Sequence, residues 1–197
     1  NGMNMGHHGI WGKGNGTYPP NMYDTAVKIP TLVSRPGHVP QNVDCTELLS
    51  QYDFSPTLLD YVGLEQKNTH NLPGRSFVNL LEGRDFGSDK PVYVLDEYGP
   101  TRMIRTHKWK YVHRYQFGDN ELYDLENDPD EEINLFGSDT HKEIKEKLLE
   151  QLESWYDKYT DPSVDGRKNS VMGRGQIGMI KDSDKPFADD VVYFNKS

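Results

Sequence analysis

The chain has 197 residues and a mass of 22.6 kDa, enough for one domain with a sizeable core or for two small domains. Its formal net charge of −9 and pI of about 5.2 argue against binding to bulk nucleic acid or to an anionic membrane. No run of eighteen apolar residues occurs, so the sequence predicts no membrane span. The low hydrophobic content of 34% and mean hydropathy of −0.84 favour a piece of a larger protein or a chain with a polar tail.

The first thirteen residues form a glycine-rich stretch that also carries an amide, two imidazoles and an ammonium group, from Asn1, His7, His8 and Lys13. Glycine allows the backbone to approach a ligand closely and to adopt a positive φ. The stretch therefore predicts a loop around a small anion or a metal ion, with a mobile loop of no function as the equal alternative. Because His7 and His8 are adjacent, an extended backbone would point them to opposite sides, and only one would reach a site.

Residues 14–64 predict short elements separated by turns. Residues 29–34 are predicted as a short strand. A helix is expected to follow Ser55 as its N-cap and to end at Gly63. We expect Asp53 to cap or orient this helix rather than to take part in chemistry. The apolar stripe of the helix is predicted to consist of Leu58, Leu59 and Val62.

Three further residues of this half have a specific interpretation. The single cysteine, Cys45, excludes an internal disulfide framework, and we interpret it as a small buried hydrophobe rather than a reactive thiol. His70 lies in a predicted loop, where it is either a solvated side chain or a rim residue of a substrate site. Ser76 is expected to cap a short helix that turns Phe77, Leu80 and Leu81 inward.

Residues 91–125 predict a small antiparallel meander, with strands at 91–98, 102–106, 109–115 and 121–125. The second and third strands carry only basic charges, whereas residues 119–132 carry only acidic ones. The basic strands could face an anionic substrate, or they could form a solvated hairpin stabilised by the acidic run. The acidic run lacks the spacing of a calcium-binding loop, and we interpret it as a surface turn.

Residues 139–159 predict one long amphipathic helix that covers a face of the preceding sheet. A capping box is expected between Thr140 and Glu143. Its apolar positions follow the helical period and are Ile144, Leu148, Leu149, Leu152, Trp155, Tyr156 and Tyr159. Residues 161–197 show no regular pattern and predict an extended tail, in which Arg174 and Gln176 are weak candidates for a substrate contact.

Four runs of the sequence resemble the second half of sulfatases of the alkaline phosphatase superfamily. The first is Asn1-Gly with Gly6-His-His-Gly and Lys13-Gly, followed by Tyr23-Asp-Thr-Ala-Val-Lys-Ile-Pro30. The second is Tyr52-Asp-Phe-Ser-Pro-Thr-Leu-Leu-Asp-Tyr-Val-Gly63, and the third is Arg102-Met-Ile-Arg-Thr-His-Lys-Trp-Lys-Tyr-Val112. The fourth and longest is Glu121-Leu-Tyr-Asp-Leu-Glu-Asn-Asp-Pro-Asp-Glu-Glu-Ile-Asn-Leu135.

The resemblance implies an α/β fold, the C-terminal part of a sulfatase-like catalytic domain over residues 1–88. It further implies an α+β subdomain over 89–160, in which one long helix packs on a four-stranded antiparallel sheet, and a tail over 161–197. By the same resemblance, Asn1 is a calcium ligand and Lys13 binds the sulfate. His8 is expected to protonate the leaving oxygen or to hydrogen-bond the sulfate, and Arg102 is a weaker candidate contact for the anionic substrate.

The family's nucleophile is a formylglycine made from Cys or Ser in a Cys/Ser-x-Pro-x-Arg motif, which these 197 residues lack because Thr46 and Glu47 follow Cys45. The resemblance therefore implies a calcium-dependent hydrolase of sulfate esters, with sulfated glycans as candidate substrates. Its nucleophile would belong to an N-terminal half of the same protein, and this chain alone is expected to be inactive. The alternatives are a phosphodiesterase or phosphonate monoester hydrolase of the superfamily, and a non-catalytic binding or structural domain. A periplasmic or secreted location is favoured over a cytoplasmic one.

Overall fold

The computed structural model describes residues 1–17, 19–65, 71–86, 90–96, 100–116 and 118–168. Its centre is a sheet of four strands in the order β1-β2-β3-β4, each antiparallel to the next. The strands are β1 Val92–Leu95, β2 Thr101–Arg105, β3 Trp109–Arg114 and β4 Glu121–Asp124. The predicted antiparallel meander is confirmed, and the end of its first predicted strand, residues 97–98, lies outside the described residues.

The helices are α1 Asp24–Val27, α2 Phe54–Tyr61, α3 Val78–Leu81 and α4 Lys142–Tyr159. As predicted, α4 covers one face of the sheet, and its apolar side chains form a core with those of β2, β3 and β4, namely Leu148, Leu152, Tyr156, Ile104, Tyr111 and Leu122. The predicted capping box is not formed, because the Thr140 hydroxyl pairs instead with Ser138 and His141. Within the described part of the chain, no helix combines the length and the apolar character needed to cross a bilayer.

The opposite face of the sheet is covered by the N-terminal segment of the chain. Met22 packs there against Met103 of β2 and Val112 of β3. Because side chains alternate along a strand, these two residues point away from the α4 core that contains Ile104 and Tyr111. The sheet is therefore a middle layer, with α4 on one side and residues 1–28 on the other.

The acidic run after β4 is more than a surface turn. Asn134 borders the outer edge of the sheet, where its side-chain oxygen accepts from Leu122 N at 3.0 Å and its amide donates to Asn120 O at 3.1 Å. Glu131 is only 3% exposed, with a left-handed φ of 58°. The surface-turn interpretation is therefore wrong for Glu131, whose carboxylate contacts Asp24 N of the N-terminal segment and Lys110 of β3. Asn134, just after the run, pairs with the outer edge of β4.

Two predictions between α1 and α2 are wrong. Residues 29–34 form no strand, and Leu32 is 95% exposed, since no other described segment pairs with this stretch. Cys45 is exposed, not buried, for the same reason. A sequence that favours a strand needs a neighbouring strand to form one, and no neighbour is present among the described residues.

Asp53 anchors the start of α2, in agreement with its predicted orienting role. The turn Gln51–Asp53 precedes the helix, and Ser50 and Asp53 form a capping box there, so the helical segment begins before the predicted Ser55. The buried carboxylate also accepts from Arg75 N at 2.9 Å, which ties the α3 segment to α2. Gly63, with φ of 72°, ends the helix as predicted.

The predicted apolar stripe of α2 is not turned inward. Leu58 and Val62 are both about half exposed or more, whereas Thr57 is buried. The Thr57 hydroxyl donates to Asp53 O at 2.6 Å and accepts from Phe77 N at 3.0 Å. Polar bonds, rather than an apolar stripe, therefore fix the described contacts of this helix.

Candidate functional site

The glycine-rich stretch 1–17 is folded onto α1 by short backbone hydrogen bonds. Gly2 N donates to Ala26 O at 2.8 Å, and Asn4 N donates to Gly12 O at the same distance. A Cβ on Gly2 would lie 2.2 Å from Thr25 O, so any side chain there would push the two segments apart. The stretch is thus a closed loop with a fixed base.

Two buried amides hold the inside of this loop. Asn4 donates to Asn21 Oδ1 at 3.2 Å, and its own oxygen accepts from Thr25 Oγ1 at 2.6 Å. Asn21 Nδ2 donates to the carbonyl oxygens of Lys13 at 3.2 Å and Gly14 at 3.1 Å. These bonds fix the backbone that carries Lys13. Sequence reasoning missed both asparagines, because a buried amide has no periodic signal.

His8 lies in the turn His7–Gly9 at the outer end of the loop, with φ of 54° in the left-handed region. Its exposed imidazole stacks on the Tyr23 ring with centroids 3.7 Å apart and planes 8° from parallel. The backbone here is turned, not extended, so the expectation that His7 and His8 point to opposite sides does not apply. A left-handed histidine is uncommon, and such outliers are concentrated at functional positions.

The other candidates on the loop, Asn1, His7 and Lys13, have exposed side chains. Among the described residues, none of the three side chains has a hydrogen bond or an ion pair, so each is free to bind a ligand. The structure keeps them on the same loop as His8, on the sheet face opposite α4. His70, Arg174 and Gln176 lie outside the described residues.

A buried network of charges joins the base of the loop to the sheet. Lys110 of β3 is fully buried, and its ammonium contacts Asp24 Oδ1 and Glu131 Oε1, both at 2.5 Å. Arg105 of β2 donates through two nitrogens to the same Asp24 carboxylate, at 2.9 and 3.1 Å. Glu131 Oε2 accepts from Asp24 N at 2.6 Å, at the first turn of α1.

The network sets the ionisation of its acids. Burial alone would raise the pKa of the Asp24 carboxyl, but the charges of Lys110 and Arg105 outweigh it and lower the pKa to about 2. For Glu131, burial prevails over Lys110, and its pKa is raised. Burial also raises the pKa of the Tyr23 hydroxyl, so the ring under His8 stays neutral at physiological pH.

Arg102 lies on the other face of the sheet, away from the loop. It is 1% exposed, pairs with Asp165 at 2.5 Å, and lies over the Tyr156 ring of α4 at 4.1 Å. The structure therefore does not bring Arg102 together with His8 and Lys13, and it gives this side chain a packing role beneath the turn Gly166–Lys168. The sequence predicted that the basic strands either face an anionic substrate or form a solvated hairpin. Neither alternative describes Arg102 or Lys110, because both side chains are buried in ion pairs.

Asn1 is the candidate calcium ligand among the described residues. Calcium takes six to eight oxygen ligands. Asn1 offers one exposed amide oxygen, whereas the oxygen of nearby Asn4 is already bonded to Thr25. No group of three or more His, Cys, Asp or Glu side chains within the described ranges could hold a metal ion. Asn1 alone could therefore occupy only one of the ligand positions that calcium requires.

The loop, the four-stranded sheet and α4 together define the C-terminal region of a sulfatase. The chain belongs to the family described as N-sulphoglucosamine sulphohydrolase, C-terminal, whose profile matches residues 6–158. The match covers the glycine-rich loop from Gly6 onwards, the sheet and nearly all of α4.

Individual relatives agree with this family. The ulvan-active sulfatase of Formosa agariphila is 27% identical in an alignment that covers 75% of this chain and 35% of that protein. The N-acetylglucosamine-6-O-sulfatase of Bacteroides thetaiotaomicron is 28% identical over 91% of this chain and 33% of its own length. A crystal structure of a candidate sulfatase from the same species shares the fold, with a TM-score of 0.69, 23% identity, and coverage of 96% of this chain and 42% of that one. The chain thus spans about a third of the length of these curated relatives.

Proposed function

We propose that this chain is part of a calcium-dependent sulfatase that hydrolyses sulfate esters of carbohydrates. The observation that carries the proposal is the closed glycine-rich loop, which holds both the unpaired, exposed Lys13 and the exposed His8 that stacks on Tyr23. Two relatives are named for sulfated-carbohydrate activity, which supports this class of substrate for the complete protein.

Each loop residue has a role that suits its chemistry. The Lys13 ammonium is a compact charge with three donors and suits a sulfuryl oxygen. Hydrolysis breaks the bond between sulfur and the ester oxygen, and the departing alcohol oxygen must take up a proton, which the exposed His8 imidazole can donate. Asn1 would supply one ligand to a calcium ion, and that ion would contribute positive charge that stabilises the sulfuryl oxygens.

The nucleophile has no counterpart in the 197 residues, so we propose that it is a formylglycine elsewhere in a longer polypeptide. This chain alone is then inactive. Turnover of a sulfate ester by the purified 197-residue chain, free of contaminating enzyme, would contradict the assignment of the nucleophile.

The test compares variants of the complete polypeptide that contains this chain on N-acetylglucosamine 6-O-sulfate and on an aryl sulfate. Lys13→Ala is expected to lower kcat/KM about 100-fold on both, because a donor to the reacting sulfuryl group is lost. Lys28→Ala is the matched control, since Lys28 is exposed on the same segment, and it should stay within about twofold. Equal effects of the two substitutions would contradict the role of Lys13.

His8→Ala separates the two roles proposed for the imidazole. A proton donor matters most for a poor leaving group, so the loss should be about 100-fold on the sugar sulfate and much smaller on the aryl sulfate. An equal loss on both esters would assign His8 to the sulfuryl oxygens instead. Chelation of calcium should abolish turnover of both esters, and faster hydrolysis of a phosphonate monoester than of either sulfate would favour the alternative hydrolase class.

A further inference from the structure

We propose that Tyr23 is a positioning residue for His8, and that the sheet holds Tyr23 in place for this task. The proposal rests on the proposed function, because it concerns how His8 is oriented towards the ester. It adds a second residue to the site, one that would touch neither the substrate nor the metal.

The stack with Tyr23 is the contact that orients the His8 side chain. Among the described residues, the imidazole makes no hydrogen bond, ion pair or second ring contact. The near-parallel arrangement, at 3.7 Å and 8°, covers one face of the imidazole, while the residue as a whole remains exposed. An exposed histidine would otherwise exchange rotamers freely, so the stack favours one plane for proton donation.

Tyr23 is fixed from its two ends. Its ring lies beside that of Tyr123 on β4, with the centroids 6.1 Å apart and the planes tilted by 52°. Its backbone carbonyl accepts from Ala26 N at 2.8 Å and from Val27 N at 3.0 Å, within α1. The next residue, Asp24, is bound by Lys110 and Arg105 of the sheet. The ring beneath His8 thus lies against Tyr123 of the sheet, and the neighbouring Asp24 carboxylate is bound to the sheet.

The first test measures the stack itself, by NMR of the His8 ring protons in the complete polypeptide. In the wild type these protons should resonate upfield, because they lie over an aromatic ring. Tyr23→Phe should preserve the upfield shift, and Tyr23→Leu should abolish it. A wild-type signal at the position found in the Leu variant would overturn the proposal.

The second test is a double-mutant cycle between Tyr23→Leu and His8→Ala, assayed on the sugar sulfate. Tyr23→Leu should lower kcat about 3- to 10-fold with KM within twofold, and it should add nothing to the loss caused by His8→Ala. Additive losses would overturn positioning, because Tyr23 would then act independently of His8. The loss should also be larger on the sugar sulfate than on the aryl sulfate, which a general loss of stability would not produce.

Two conservative variants serve as controls for the double-mutant cycle. Tyr23→Phe retains the ring that stacks on His8, and Tyr123→Phe retains the ring beside Tyr23, so both should keep kcat within about twofold. If Tyr23→Leu does not fold, Tyr23→Met removes the ring while keeping an apolar side chain of similar volume, and the same losses are expected. If His8→Ala loses no activity, the proposed function fails at His8 and positioning fails with it. If His8→Ala does lower activity but the losses caused by Tyr23→Leu and His8→Ala add, only the positioning role of Tyr23 is overturned.

Discussion

Asp24 keeps its negative charge at the base of the loop because two cations of the sheet face it. The carboxylate contacts Lys110 at 2.5 Å and Arg105 at 2.9 Å, in a place where burial alone would favour its protonated form. Removing one partner of such a group leaves the others buried and uncompensated. The single residue therefore controls how firmly α1, and with it Tyr23, is attached to the sheet.

The pH dependence of stability follows from this residue. The pKa of Asp24 is about 2 in the folded chain against 3.8 ordinarily, so its contribution of about 2 kcal/mol is present above about pH 4 and is lost as the pH falls towards 2. Asp24→Asn should lower the free energy of unfolding at neutral pH by at least that amount, because Lys110 and Arg105 lose a charged partner, and it should flatten the decline between pH 4 and 2. Urea unfolding of the complete polypeptide across this range measures both. Asp44→Asn, at an exposed carboxyl, is the control, and an unchanged acid slope in Asp24→Asn would contradict the assignment.

None of these residue-scale contacts was predictable from the sequence. Asp24 and Lys110 are 86 residues apart, and Tyr23 and His8 are 15 apart across an irregular loop. A basic strand next to an acidic run indicates a solvated pair by local charge pattern, yet Lys110 turned out to be fully buried. Family resemblance selected His8 and Lys13, but only coordinates could supply the residues that hold them.

At the scale of elements, local patterns were sufficient for the sheet and for α4. The 3.6-residue period of Leu148, Leu152 and Tyr156 predicted the buried face of α4, and the spacing of turns predicted the meander. The prediction of a strand at residues 29–34 was wrong, because a strand forms only next to a partner strand and a local pattern does not reveal whether one is present. The period also failed for α2, where Thr57 rather than Leu58 is buried.

Leu152→Ala tests how much of the subdomain depends on the contact between α4 and the sheet. Leu152 is fully buried among side chains of β2, β3 and β4, so truncation should lower the free energy of unfolding by about 2–5 kcal/mol. Glu150→Ala, on the exposed side of the same helix, should change it by less than about 0.5 kcal/mol. Thermal or urea unfolding distinguishes the two. Similar small changes for both would mean that α4 is only loosely packed on the sheet.

For the whole molecule, the notable surface is the extended stretch around residues 29–33. Ile29, Leu32 and Val33 are all exposed, in a chain that spans about a third of the length of its curated relatives. Apolar side chains that lie side by side on a surface commonly mark a contact with other protein. We expect the remainder of a longer sulfatase polypeptide to cover them.

Leu32→Ser tests this expectation by comparing the 197-residue chain with the complete polypeptide. In the 197-residue chain it should leave the free energy of unfolding within about 0.5 kcal/mol, because the side chain is already exposed. In the complete polypeptide it should cost about 2–5 kcal/mol if the side chain becomes buried. Thr31→Ser, at the neighbouring exposed position, is the control in both. Equal and small effects of Leu32→Ser in both settings would contradict burial of this stretch.

The attachment of α1 to the sheet also sets an order of events during synthesis. Asp24 leaves the ribosome 86 residues before Lys110 and 107 residues before Glu131. At roughly 5–20 residues per second, the nascent loop waits on the order of 5–20 s for the partners that anchor it. The glycine-rich loop is translated early in this chain and becomes anchored late, so a translational pause before residue 131 would leave it without its anchor during that interval.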